Sequence, residues 1–96
     1  VVIFRADALS LDQAMARLGQ IGQCLQASVQ SRGVKCIGPI PALMTRRVGR
    51  YRAQLCLISN DIQQLRGVLR EAMPAIKNIP STHSVKWVID VDAFDL

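Results

Sequence analysis

Four arginines surround a glycine and a tyrosine in residues 46–52, whose sequence is RRVGRYR. Guanidinium groups offer planar, bidentate donors to phosphate, and arginine or tyrosine side chains stack on unpaired bases. Gly49 allows the backbone to turn sharply or to approach a ligand closely. Tyr51 has two interpretations, a stacking ring beside the arginines or a ring packed in the core. The segment predicts contact with the phosphates of a nucleic acid through Arg46, Arg47, Arg50 and Arg52.

The net charge of +5 is unevenly distributed along the 96 residues. No aspartate or glutamate occurs between Gln13 and Asn60, whereas seven arginines and lysines lie in that stretch. A field of one sign attracts polyanions and steers their approach, although a charge excess is also typical of a solvated face. We predict that Lys35 and Lys86 extend the basic surface, with ordinary outer-face lysines as the alternative.

No motif for catalysis or cofactor binding is recognisable. The sequence lacks the GxxxxGK[ST] loop that cradles nucleotide phosphates and the GxGxxG turn of dinucleotide sites. His83, the single histidine, lies among serines and a threonine without an orienting partner, so we interpret it as a loop residue. Asp90, Asp92 and Asp95 lack the glycine and bidentate glutamate of a calcium loop, and Asp90 is expected to pair with Arg52 or Lys86. We therefore expect no catalytic residue, metal or cofactor in this chain.

The three cysteines and the hydropathy pattern indicate a cytoplasmic protein. Cys24, Cys36 and Cys56 are odd in number and form no CxxC pair, so they are expected to be buried, reduced thiols. No apolar run approaches the roughly 20 residues of a membrane span. The first residues lack the features of a signal peptide and resemble the middle of a strand, so the chain is expected to be a piece of a longer protein.

Hydrophobic periodicity and turn residues predict the order strand, helix, strand, strand, helix, strand. The first helix is expected to start at Ser10, with Gln13 three residues later, and to end near Ser31 or Gly33. The second is expected to start at Asn60 and to be kinked or shortened at Pro74. The strands are expected at residues 1–6, 34–37, 50–58 and 84–91. The sequence GPIP should stop the second strand, and residues 42–49 should form a basic loop.

Two helices interleaved with four short strands predict an α+β fold of the βαββαβ type. A four-stranded sheet then carries both helices on one face, the split βαβ or ferredoxin-like arrangement. Trp87 shares a strand face with Val85 and Ile89, and we interpret it as a core or interface anchor rather than a stacking platform. The other sheet face is free for a partner. Residues 1–96 are expected to form a single domain.

Two motifs resemble the C-terminal domain of the primosomal protein N′ (PriA) family of replication-restart DNA helicases. Residues 38–55, GPIPALMTRRVGRYRAQL, resemble the family pattern GPxPA followed by RxGR[WY]RxQ[IL]. Residues 86–92, KWVIDVD, resemble its closing strand. The resemblance extends from the opening Phe4-Arg5-Ala6 to the C-terminus. It implies a fold like that of a protein of the small ribosomal subunit, and a module that packs on helicase lobes and binds DNA at abandoned forks.

The resemblance also implies properties of a parent enzyme. Family members are ATP-dependent 3'-5' DNA helicases that use ATP and magnesium, carry zinc in a separate insertion and act in the primosome, in the bacterial cytoplasm near the nucleoid. Their second helix contributes a basic and a polar side chain, one turn apart, to a pocket for the acidic tail of single-strand DNA-binding protein. Ile62 and Arg66 stand at those positions here, so the first departs from the basic type. Arg66 and Arg70 are the remaining candidates for that contact.

Three functions therefore compete. The leading hypothesis is a non-catalytic domain that binds single-stranded or forked DNA. The second is a protein-interaction module that docks on the helicase lobes or on an acidic tail. The third, a small-molecule regulatory domain of the same strand order, has no support in the sequence.

Overall fold

The computed structural model describes residues 1–47, 50–80 and 85–91, with the backbone alone for residues 42–47. The predicted order of strands and helices is confirmed. The elements are β1 (Val2–Ala8), α1 (Leu11–Arg32), β2 (Lys35–Arg47), β3 (Arg50–Ile58), α2 (Ile62–Lys77) and β4 (Val85–Val91).

The four strands form one antiparallel sheet in the order β2-β3-β1-β4. Successive side chains of a strand point to opposite faces, and β1 follows this rule without interruption. Its residues Val2, Phe4, Ala6 and Ala8 are buried, whereas the residues between them are only half-buried. The predicted fold, in which the helices cover one face of the sheet, is confirmed. We call the opposite side, which includes the side chains of Arg5 and Asp7, the open face.

The core lies between the helices and the covered face of the sheet. Leu18, Ile21 and Leu25 of α1 and Val68 and Ile76 of α2 are buried there. Each large apolar side chain removed from water contributes on the order of 1.5–3 kcal/mol. The strands contribute Phe4, Leu55 and Leu57. Trp87 packs against this core, and its ring centroid lies 6.4 Å from that of Phe4.

The helix ends follow local chemistry, with one correction. The Ser10 hydroxyl accepts a hydrogen bond from the Gln13 amide at 3.2 Å, as predicted, and Gly33 ends α1 in the left-handed conformation with φ of 67°. The predicted cap of α2, Asn60, is wrong. Asp61 takes that position, because its carboxylate reaches the Gln63 amide at 2.9 Å. The helix continues through Pro74 to Lys77, so the proline does not shorten it at that point.

The second strand is much longer than predicted. We expected it to stop at Ile37 and a basic loop to follow, but β2 continues to Arg47. Its pairing with β3 shifts register between Ile37 and Ile40 and again between Pro41 and Arg46. A proline is tolerated at a sheet edge or a bulge because its missing N–H is not required there, and β2 is an edge strand.

The register shift depends on Gly38, which has φ of 108°. A β-carbon added there would lie 2.9 Å from the Gln54 carbonyl oxygen and 3.1 Å from the Ile40 nitrogen. Both neighbours are backbone atoms, which cannot move aside as a side chain would. Glycine is therefore required by the backbone conformation and by the close approach of β3.

We expect Gly38→Ala to destabilise the domain by about 1–3 kcal/mol, because it places a side chain in a conformation that disfavours one. Urea unfolding measures the change. Gly19→Ala is the matched control, since a β-carbon at Gly19 in the middle of α1 would meet no atom within 4 Å apart from the adjoining residues and backbone of its own helix. That change should stabilise the helix by roughly 0.5–1 kcal/mol. Equal stability of the two variants would contradict this account of β2.

A polar cluster joins the two helices. The Arg32 guanidinium at the end of α1 donates to Glu71 at 2.5 Å and to Gln64 at 3.1 Å, and the Ser28 hydroxyl donates to Glu71 at 2.8 Å. Hydrogen bonding from Arg32, and then from Ser28, lowers the pKa of Glu71. The hydrogen bond to Glu71 raises the pKa of Arg32. The cluster holds the end of α1 against the middle of α2.

The lowered pKa of Glu71 predicts a pH dependence of stability. A carboxyl whose pKa falls on folding stabilises the fold above its unfolded pKa, roughly 4.3. This contribution is lost as the pH falls through the lower, folded-state pKa. We therefore expect Glu71→Gln to be less stable than the wild type at neutral pH and to lose less stability on acidification. Parallel pH profiles from thermal melting would contradict this expectation.

Candidate nucleic-acid interface

The strand register arranges the polar residues of the open face in rows across the sheet. In one row Asp7 of β1 lies opposite Arg52 of β3 on one side and Lys86 of β4 on the other. In the next row Arg5 lies between Gln54 and Val88. Residues directly opposite in a sheet have neighbouring side chains. Two basic residues therefore flank a single carboxylate on an uncovered surface.

Asp7 is the centre of this arrangement. Its carboxylate accepts a short hydrogen bond from the Arg50 Nε and lies 3.7 Å from the Arg52 Nε. The Arg50 guanidinium also donates to the Asp7 backbone carbonyl at 3.1 Å. The side chains of all three residues keep 30–40% of their accessible surface. Two of the predicted phosphate-binding arginines are thus held together by one acidic residue that remains open to water.

A second ion pair lies on the same face and corrects a prediction. Asp90 was expected to pair with Arg52 or Lys86, but it contacts the Arg5 guanidinium at 2.5 Å. The register explains the difference. Asp90 lies opposite Ile3 on β1, so Arg5 is its diagonal neighbour, whereas Arg52 belongs to β3 on the far side of β1.

A shallow concavity of about 320 Å³ opens on this face across β3, β1 and β4. Its lining includes the charged residues Arg5, Asp7, Arg52 and Lys86 and the exposed Val88. No described residue forms an ion pair with Lys86. The concavity therefore combines three cationic side chains with one central carboxylate.

The other predicted contact residues are more dispersed. Tyr51 shares the covered face with Ala53 and lies opposite Ala8, so it is separated from Arg50 and Arg52 by the sheet. Lys35 is exposed at the far edge strand, opposite Ile58. The backbone of Arg46 and Arg47 pairs with Tyr51 and Arg50 at the end of β2. Arg66 and Arg70 are exposed on α2. His83, Asp92 and Asp95 lie outside the described residues.

The cysteines differ from the prediction in their burial. All three are free, but Cys36 is exposed and Cys24 and Cys56 are only half-buried. Although Cys36 as a whole is exposed, surrounding atoms partly shield its thiol from water; this desolvation, and then the nearby Cys56, raises the pKa of the Cys36 thiol. Within the described ranges no group of histidine, cysteine or carboxylate side chains is placed to hold a metal ion. Neither described helix has the length and apolar content of a membrane span.

Sequence reasoning missed Arg5 and Asp7 as members of the site. The alternation of Val2, Phe4 and Ala6 with polar residues could have placed both on the outer face. Which side chain each would meet depends on the register between β1 and its neighbours. Arg52 and Lys86, which lie opposite Asp7, are about 45 and 80 positions away from it in sequence. Local sequence patterns do not reveal pairings over such separations.

The fold resembles that of a solved structure. The de novo designed protein Foldit4 has a TM-score of 0.57 and 12% identity, with 95% of this chain and 94% of that chain covered. A likeness at this identity shows the fold alone. It supports the ferredoxin-like α+β class that the strand order defines.

The sequence relatives are more specific. The profile of the Primosomal protein N C-terminal domain matches residues 1–94. Replication restart protein PriA of Haemophilus influenzae is 34% identical over 94 residues, which make up 98% of this chain and 12% of that protein. The chain therefore belongs to the primosomal protein N C-terminal domain family. The family resemblance seen in the sequence is thereby confirmed. The chain spans 12% of the length of the Haemophilus influenzae relative.

We expect Asp7 and Arg50 to be coupled energetically. A double-mutant cycle with Asp7→Asn and Arg50→Ala should give a coupling energy of about 0.5–1 kcal/mol, because both side chains are partly exposed and screened by water. Urea unfolding in low and high salt measures it. The coupling should decrease as salt increases. If the effects of the two substitutions on the free energy of unfolding are additive, the contact between Asp7 and Arg50 is contradicted.

Proposed function

We propose that this chain is a non-catalytic, DNA-binding C-terminal domain of an ATP-dependent replication-restart helicase. It binds single-stranded or branched DNA through the arginine-rich segment around the β2–β3 hairpin. Arg46, Arg47, Arg50 and Arg52 contact phosphates, with Lys35 and Lys86 as secondary contacts. The observation that carries this proposal is the placement of Arg50, Arg52 and Lys86 together on the open face of a domain of this family.

The chemistry of these residues favours contacts that position a strand without reading its bases. Arginine and lysine on a phosphate backbone add affinity that depends steeply on salt and little on sequence. The ring of Tyr51, on the covered side, is remote from the arginine face and is a weaker candidate for base stacking. The domain thus contributes general DNA affinity, while the parent's ATP hydrolysis, magnesium and zinc belong to other parts of that protein.

A second candidate function has its own observation. Ile37 and Ile40 of β2 and Ile58 of β3 are 37–41% exposed on the part of the open face nearest the edge of the sheet. Exposed apolar clusters are typical of protein-docking surfaces. Docking on the helicase lobes, or of the acidic tail of single-strand DNA-binding protein near Arg66 and Arg70, is the alternative role of this domain in the primosome.

We expect Arg46→Ala/Arg47→Ala/Arg50→Ala to bind single-stranded and forked DNA more weakly than the wild type. Each lost phosphate contact should reduce the slope of log affinity against log salt by about 0.7 on single strands, and so by roughly 2 for three contacts. Fluorescence anisotropy with labelled oligonucleotides over a salt series measures both quantities.

The matched control removes three positive charges from α2, which covers the other face of the sheet. Arg66→Ala/Arg70→Ala/Lys77→Ala changes three exposed residues of α2 and should leave the slope close to that of the wild type. Unchanged affinity and slope in the hairpin variant would reject DNA binding by these arginines. Negligible DNA binding by the wild-type domain, together with binding of an acidic tail peptide, would favour the docking function.

A further inference from the structure

We propose that the concavity around Asp7 is a subsite for one backbone phosphate of a DNA strand, and that Asp7 limits the affinity of this subsite by competing for the same cations. The inference rests on the proposed function and goes further, because it identifies the residues of one contact and an acidic residue that opposes it. Arg52 and Lys86 contact the phosphate from the two sides of β1.

The register supplies the geometry. Arg52 and Lys86 both lie directly opposite Asp7, on the two strands that flank it. Adjacent strands are about 4.8 Å apart, so the two backbones are separated by roughly 10 Å. Long side chains reaching inward from both strands can converge on one anionic group above β1. The concavity of about 320 Å³ lies over this position.

The cations differ in how strongly they are already engaged. Arg50 is bound to both the carboxylate and the backbone carbonyl of Asp7. The Arg52 Nε lies 3.7 Å from the carboxylate, beyond hydrogen-bonding distance, and none of the described residues pairs with Lys86. Arg52 and Lys86 therefore have more donors available for a ligand at this subsite than Arg50, which also holds Asp7 in place.

The carboxylate of Asp7 has the charge and the hydrogen-bonding geometry of the ligand that the subsite would take. A phosphate brought between Arg52 and Lys86 experiences repulsion from Asp7, which is separated from them by a single strand spacing. Because the ion pairs are partly exposed, their loss costs the fold little, on the scale typical of surface pairs. A small change at Asp7 can therefore shift the balance towards the external anion.

The site favours a phosphodiester chain over an acidic peptide. The cations are spread across β3, β1 and β4 and continue to Arg50 at the start of β3, which suits an extended polyanion with regularly spaced charge. Val88, which is 59% exposed beside Lys86, offers an apolar contact to a sugar or base next to the bound phosphate. An acidic peptide would offer carboxylates without this regular spacing.

The test compares two substitutions with the same change in net charge. Asp7→Asn and Asp90→Asn each remove one carboxylate from the open face, but Asp90 pairs with Arg5 and lies two rows away, level with Ile3. We expect Asp7→Asn to bind a labelled oligothymidine about three- to tenfold more tightly than the wild type at low salt, and Asp90→Asn to show a distinctly smaller gain. Asp7→Glu, which keeps the charge, should bind like the wild type.

A second pair of variants keeps the test valid if Asp7→Asn fails to fold. Lys86→Ala should weaken binding and reduce the salt slope by about 0.7, as expected for one lost phosphate contact on a single strand. Lys77→Ala, the matched loss of an exposed lysine at the end of α2, should leave the slope unchanged. Thermal melting of each variant confirms that it is folded.

The outcomes separate this inference from the proposed function. If the hairpin variant loses DNA binding while Asp7→Asn equals Asp90→Asn and Lys86→Ala equals Lys77→Ala, the domain binds DNA but this subsite is wrong. If Asp7→Asn strengthens binding of a polyglutamate peptide as much as that of oligothymidine, the assignment to a phosphodiester is overturned. If neither the wild type nor any variant binds DNA, both proposals fail.

Discussion

The alternation of side chains along β1 is the constraint on which the rest of the structure depends. Because β1 lies between β3 and β4, its two faces set the character of the whole sheet. Phe4 on one face packs beneath the helices, whereas Asp7 on the other lies among basic side chains. A shift of one residue in register would exchange these faces and place charge in the core. The apolar core and the charged surface are therefore two consequences of one pairing.

The same constraint explains how a basic surface can exist in a small domain with reduced self-repulsion. Asp7 offsets part of the charge of Arg50 and Arg52, and Asp90 offsets that of Arg5. Both pairs remain in contact with water, so each contributes little to stability and can exchange one partner for another. The surface is thus only partly neutralised in the free domain, and its positive charge increases wherever a carboxylate is displaced or removed.

Local sequence patterns predicted the parts of the fold that depend on local chemistry. Arg50–Ile58 was predicted with its observed bounds, because apolar and polar side chains alternate over these residues. Ser10 and Gly33 bound α1 for reasons confined to a few residues. The length of β2 could not be predicted, because its prolines are tolerated only at an edge position that the strand order decides. The predicted partner of Asp90 was wrong for a related reason, because the register between two strands cannot be inferred from either strand alone.

The position of Tyr51 in the sheet separates it from the arginines that surround it in the sequence. In sequence it stands between Arg50 and Arg52, which favours a unit that combines stacking and phosphate contact. In the sheet it faces the helices, opposite Ala8, whereas its two neighbours face Asp7. A DNA strand bound on the open face would therefore contact guanidinium groups but not the tyrosine ring. Contacts of that kind follow the backbone of a nucleic acid and are indifferent to its bases, in agreement with the sequence-independent DNA binding that we propose.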